Sequence, residues 1–275
     1  METFTADDGE RLQLRIAGHG TPLIMLHGWT SGRTVWTPLL EVLTRDHQVF
    51  CPEARGHGSH KLTVTATPDV ARLARDLLNL LDHFGLERAA VAGHSMGALT
   101  LWQFIRDHGC RRLSHLCIID QSPKLVTDAT WDKGIYGDFD SARSDRLIED
   151  LEKDFAEAVL RLIAYGRNAK ARASYERNTS GWQQSRQNLG KLDPVPLIAI
   201  WKSLVAADYR DVLPTIDVPT LLVWGEHSNF YTADTARYLR DRIAGATLSC
   251  YAEADHCPQL LQPARFAAEL AAFQK

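Results

Sequence analysis

The chain has 275 residues, 45% hydrophobic and 24% charged, and its 31 basic and 34 acidic residues leave a formal net charge of -3. The length falls between one large α/β domain and two small ones, and no basic block is available for a phosphate backbone, which excludes a nucleic-acid partner. A mean hydropathy of -0.23, with no apolar run of about eighteen residues, excludes a membrane-spanning helix.

In chain order, residues 4–15 alternate loosely and predict an antiparallel edge hairpin turning at Asp8 and Gly9. Residues 22–27 (PLIMLH) are the first buried-strand run, ending in a turn at Gly28. A helix is predicted over 36–43, with Trp36, Leu39, Leu40 and Leu43 on one face, and a strand over 48–51 that Pro52 stops. Thr67, Pro68 and Asp69 then mark a helix start, with Thr67 as N-cap and Pro68 at the first helical position. Its stripe of Val70, Leu73, Leu77, Leu78 and Leu81 closes at Gly85. Further strand runs occupy 89–92, 116–119, 220–224 and 247–251, and an alanine-rich helix over 263–273 closes the chain. Near-continuous apolar strands of this kind predict a mostly parallel, doubly wound sheet covered on both faces.

The interval 121–213 is far longer than the dozen or so residues that a crossover needs. Leu147, Leu151, Phe155, Ala158, Val159 and Leu162 keep one helical stripe towards Gly166, and shorter pieces follow over 170–175 and 196–206. The expected organisation is a core of residues 1–122 and 213–275 with a helical cap, 123–212, inserted between core strands 6 and 7. Such a cap lies over the C-terminal edge of the sheet, where open α/β folds bind ligands. The first eight residues lack a basic n-region and an apolar h-region. The five cysteines, Cys51, Cys110, Cys117, Cys250 and Cys257, never form C-x-x-C. A reduced, cytoplasmic chain without a secretory signal is the expectation.

The chemistry concentrates in a few short segments. Gly93-His94-Ser95-Met96-Gly97 matches G-x-S-x-G, between the strand at 89–92 and a helical run from Ala98, the strand–turn–helix setting of a nucleophile elbow. The plainer reading of Ser95 is an N-cap at an ordinary βα turn. His27-Gly28-Trp29 ends the strand before it. Together with Pro52-Glu53-Ala54-Arg55-Gly56-His57-Gly58, the 218–225 strand (VPTLLVWG) and Ala254-Asp255-His256-Cys257-Pro258, these motifs resemble those of the α/β-hydrolase superfamily nearly end to end. Glu53 stands where that family's loop usually carries an aspartate.

The resemblance implies an eight-stranded α/β-hydrolase sheet, Ser95 as nucleophile, His256 as general base, and an oxyanion hole made by the amides of Trp29 and Met96. The acid departs from the common pattern. Many members read G-x-x-D after the 220–224 strand, whereas this chain reads Gly225-Glu226-His227-Ser228, and a serine cannot stabilise an imidazolium as a carboxylate does. Asp255 adjoins His256 and reaches back to its Nδ1 with difficulty, and Asp234 falls within the next helix. Asp120 ends the strand after the nucleophile strand and keeps the order Ser95, Asp120, His256, so the acid is assigned to Asp120, with Glu226 as the alternative.

Those roles imply a serine hydrolase of a small carboxylic ester, lactone or related acyl bond, working on a small-molecule substrate without a metal or cofactor. Two other classes stay open: a cofactor-free 2,4-dioxygenase of hydroxyquinolone-like substrates and a non-catalytic ligand receptor, both built on the same fold. A homodimer is also left open. The basic residues Arg161, Arg167, Lys170, Arg172 and Arg177 are expected on a solvated face of the cap. Its aromatics (Trp131, Tyr136, Phe139, Tyr165, Tyr175, Trp182 and Trp201) are expected mostly in its core, with two or three lining an apolar pocket.

Overall fold

The apolar runs pair into one sheet. The computed structural model describes residues 2–274, with strands β1 (Glu2–Thr5), β2 (Arg11–Ala17), β3 (Thr21–Leu26), β4 (His47–Pro52), β5 (Ala89–His94), β6 (Leu113–Ile119), β7 (Thr220–Gly225) and β8 (Thr247–Tyr251). Their order is β1-β2-β4-β3-β5-β6-β7-β8. The first two strands are antiparallel to their neighbours and β4 through β8 are parallel, as continuous apolar runs require.

The helices are α1 (Leu40–Leu43), α2 (Val70–His83), α3 (Met96–His108), α4 (Ser141–Lys153), α5 (Phe155–Ala164), α6 (Ala169–Glu176), α7 (Ser180–Leu189), α8 (Pro194–Ala206), α9 (Ala233–Arg242), α10 (Pro258–Leu261) and α11 (Pro263–Phe273). Successive strand residues feed opposite cores, because side chains alternate across a sheet. Ile24, Val91, Ile118 and Leu222 join the core with α2 and α3. Leu23, Met25, Ala90, Ala92, Cys117, Ile119, Leu221 and Val223 join Trp36, Leu43 and Phe266 on the other face. Helices α4 to α8 all fall between β6 and β7. Among the described residues, no helix is long and apolar enough to cross a membrane.

Four local expectations need correction. The N-cap of α2 is Asp69, not Thr67: Asp69 is extended and its carboxylate accepts from the Arg72 amide at 2.7 Å, which leaves Pro68 outside the helix. The stripe over 147–162 is two helices, broken at Asp154, whose side chain caps α5 by accepting from the Glu157 amide at 3.2 Å. The first half of the helix expected over 36–43 belongs to a 3-10 turn, Arg33–Leu39, with Pro38 inside it, and only Leu40–Leu43 is α-helical; proline has no N–H to donate along a helix. The polar helix α7 was not foreseen, and only its Leu189 is buried.

Charged residues fasten the edge hairpin to the sheet's flank. The guanidinium of Arg55 is buried and donates to Asp76 at 2.5 and 2.8 Å and to Asp8 at 2.7 and 2.9 Å. Two bidentate pairs satisfy a charge that would otherwise be costly to bury. Glu53 is also buried, and accepts from the Arg33 amide at 2.9 Å and from the Arg33 guanidinium.

Candidate active site

Ser95 sits between the end of β5 and the start of α3 with φ 53° and ψ -116°, and its side chain makes no capping hydrogen bond. The hydroxyl is therefore not used as a helix cap. A non-glycine residue in this backbone region costs about 1–3 kcal/mol and persists only where its surroundings impose it. Here the Ser95 amide donates to the Ile119 carbonyl at 3.2 Å. A Cβ on Gly93 would come within 2.6 Å of the Gly97 backbone, and one on Gly97 within 2.8 Å of Leu26 Cβ. Neither position accepts a side chain, which is why the turn reads G-x-S-x-G.

Asp120 directly follows β6, fully buried and with φ 45°. Its Oδ1 accepts from the Ser228 hydroxyl at 2.6 Å and pairs with His256 Nδ1 at 2.9 Å; its Oδ2 accepts from the Gly225 amide at 2.9 Å. A carboxylate only accepts, so the proton of the neutral imidazole lies on Nδ1 and Nε2 is left as the base. Glu226 is exposed instead, so of the two carboxylates assigned as acid the fold brings Asp120 to His256. Ser228, the residue at the G-x-x-D position, thus donates its hydroxyl to the carboxylate that pairs with His256. Its hydroxyl also accepts from the amides of Phe230 and Tyr231, both at 3.3 Å.

His256 follows β8, two strands away from Asp120. The His256 loop crosses over the end of β7, and a Cβ on Gly225 would lie within 2.8 Å of the Asp255 carbonyl carbon. Glycine at 225 is what lets the loop pass. The loop is then fastened from both sides. His94 Nε2 donates to the His256 carbonyl at 2.9 Å, and the His256 amide donates to Asn229 Oδ1 at 3.3 Å. The imidazole of His256 meets Phe230 edge-on at 4.5 Å. Burial, with His256 alongside, pushes the pKa of His94 down to about 3, which keeps His94 neutral. Burial likewise pushes the Cys257 thiol well above its ordinary range.

Ser95, His256, Trp29 and Met96 line one cavity of about 220 Å³. Among the described residues, neither the Trp29 nor the Met96 amide donates to another backbone carbonyl. The rest of the wall is mainly apolar, from Leu99, Leu125, Val159, Leu162, Trp201, Leu204 and Phe230. Helices α5 and α8 thus supply part of the lid. Of the aromatics expected in the insertion, Trp201 alone lines this cavity, and the other rings come from Trp29, Phe230 and Tyr231. Trp29 is clamped to the same helices. Its indole N–H donates to the Leu197 carbonyl at 2.9 Å, and its ring lies 4.6 Å from Trp201 and 5.8 Å from Phe155. The next residue, Thr30, has φ 62°. Among the described residues, no group of three or more His, Cys, Asp or Glu side chains is arranged to hold a metal ion.

Comparison with known proteins points the same way. A family model described as the alpha/beta hydrolase fold matches residues 21–263. A pimeloyl-[acyl-carrier protein] methyl ester esterase of Vibrio vulnificus is 27% identical over 95% of this chain and 97% of its own length. A strigolactone esterase of Arabidopsis thaliana is 24% identical over 94% of each chain. Among solved structures, an esterase from Exiguobacterium antarcticum superposes with a TM-score of 0.85 at 22% identity, covering 99% of this chain and 98% of that one, a likeness of fold.

Proposed function

The chain belongs to the α/β-hydrolase fold family as an ester-acting hydrolase, and we propose that it cleaves a small carboxylic ester or lactone through an acyl-enzyme at Ser95. The observation that carries this reading is the 2.9 Å contact between Asp120 and His256 Nδ1 beside a serine held on a strained turn. His256 Nε2 takes the Ser95 proton as the hydroxyl attacks the carbonyl carbon. The carbonyl oxygen becomes an anion bound by the amides of Trp29 and Met96, and Asp120 stabilises the imidazolium. The imidazolium gives its proton to the departing alcohol, and a water activated by the same base then releases the acid.

The apolar wall of the cavity favours an uncharged, hydrocarbon acyl group, since a charged one would be desolvated there without a partner. The test is a p-nitrophenyl ester series of increasing acyl length, with oxygen uptake on a hydroxyquinolone run in parallel. Ester turnover that Ser95→Ala abolishes supports the reading. Oxygen uptake that depends on His256 and survives Ser95→Ala would replace it with the dioxygenase reading.

A further inference from the structure

The oxyanion loop walls two spaces at once. Thr30 and Ser31, directly after Trp29, line the catalytic cavity and also an open groove that runs along α5, α6 and α7. Val159 and Ile163 are likewise common to both, so the two spaces share a wall. Their chemistry differs. The catalytic cavity is lined largely by hydrocarbon, and its ionisable groups gather around His256. The groove sets the side chains of Thr30, Ser31, Thr34, Ser185 and Asn188 and the indole of Trp182 around an aliphatic floor of Val159, Leu160, Ile163, Leu189 and Leu192, and no ionisable side chain lines it among the described residues. The Trp182 ring is half-buried and held edge-on against Tyr175 at 5.3 Å. Arg161, Arg167, Lys170, Arg172 and Arg177 are all exposed, and none lines the groove.

An ester has two halves, and the molecule offers two unlike surfaces that meet at the oxyanion loop. We propose that the groove is the subsite for the alcohol half of the ester and that it takes a neutral, polyhydroxylated alcohol, a sugar or polyol. The proposal rests on the ester-hydrolase reading above. With the carbonyl oxygen on the Trp29 amide, the scissile bond lies where cavity and groove join. Hydroxyl and carboxamide groups both donate and accept, which suits a ligand made of hydroxyls. An aromatic ring adds apolar contact area for the ring carbons between them. A phosphate, carboxylate or ammonium would find no counter-charge there and would lose hydration without compensation.

The test holds the acyl group constant and varies the alcohol: methyl octanoate, 6-O-octanoylglucose and octanoylcholine, with wild type, Trp182→Ala and, at an exposed position, Ser185→Leu. The expected wild-type result is a kcat/KM about ten-fold higher for the glucose ester than for the methyl ester, carried by KM, with no such gain for the choline ester. Each variant should collapse the glucose-to-methyl ratio towards one. Equal kcat/KM for the methyl and glucose esters in wild type overturns the groove alone, as does a ratio that both variants leave intact. A larger gain for octanoylcholine also overturns it. Failure to hydrolyse any of the three esters overturns the ester reading and the groove with it.

Discussion

Replacing Asp120 by asparagine removes one charge and changes almost no volume, so its effect can be worked from the hydrogen bonds. Asp120 accepts from three donors: His256 Nδ1, the Ser228 hydroxyl and the Gly225 amide. Asparagine offers one oxygen and one NH2 group in the same place. If the oxygen faces Gly225, the NH2 faces His256. The imidazole must then accept at Nδ1, its proton moves to Nε2, and the base for Ser95 is lost. If the oxygen faces His256 and Ser228, the NH2 meets the Gly225 N–H, and two buried donors oppose each other at a cost of about 1–3 kcal/mol. Neither orientation keeps both the tautomer and the packing. Asp120→Asn should therefore lower kcat/KM by about 10⁴-fold, or about 5.5 kcal/mol, measured with a p-nitrophenyl ester after circular dichroism shows an intact fold. Glu226→Gln, at an exposed position after β7, should stay within about two-fold of wild type. A near-silent Asp120→Asn beside a damaging Glu226→Gln would refute the reasoning.

Ser228→Ala leaves Asp120 with two of its three donors; the lost charge-assisted bond is worth about 1.5–3 kcal/mol, so kcat/KM should fall roughly 10- to 100-fold, and an unchanged value in steady-state kinetics would deny Ser228 a part in holding the acid. Trp29→Phe keeps an aromatic ring but loses the 2.9 Å bond to the Leu197 carbonyl, and should lower kcat several-fold with KM little changed; a rise in KM alone would place Trp29 in binding rather than in the oxyanion hole. His57 and His94 are buried, and burial, with His27 and His256 beside them, pushes their pKa values down to about 3. Between pH 6.5 and 3 the unfolded chain binds protons at both positions that the folded chain refuses. Stability should thus fall as pH drops through that window, by up to about 1.4 kcal/mol per pH unit for each histidine, and a urea midpoint equal at pH 7 and pH 4.5 would contradict this.

The strands were legible because a parallel sheet buries both faces and writes itself as unbroken apolar runs. Ser95 was legible because the glycines at 93 and 97 record a close approach of backbones. The meeting of Asp120 with His256 could be anticipated from chain order and strand ends, since β5 and β6 are neighbours. What escaped was set by contacts distant in sequence or by weak local signals. Helix α7 carries no apolar stripe and buries only Leu189, so hydrophobic periodicity had nothing to register. Asp154 interrupts a stripe that resumes nearly in phase, because it closes α4 and caps α5. The grip of Leu197 on Trp29 joins residues 168 positions apart. Ser228 looked like a missing acid, and its partnership with Asp120 emerges only when the end of β7 is set beside the end of β6.

The covalent step at Ser95 is the centre of the account, and labelling tests it most directly. After treatment with a fluorophosphonate, peptide mass spectrometry should find one phosphonyl group per chain, on the peptide that contains Ser95, and ester turnover should fall in proportion to occupancy. An unlabelled Ser95, with ester turnover intact in Ser95→Ala, would contradict it.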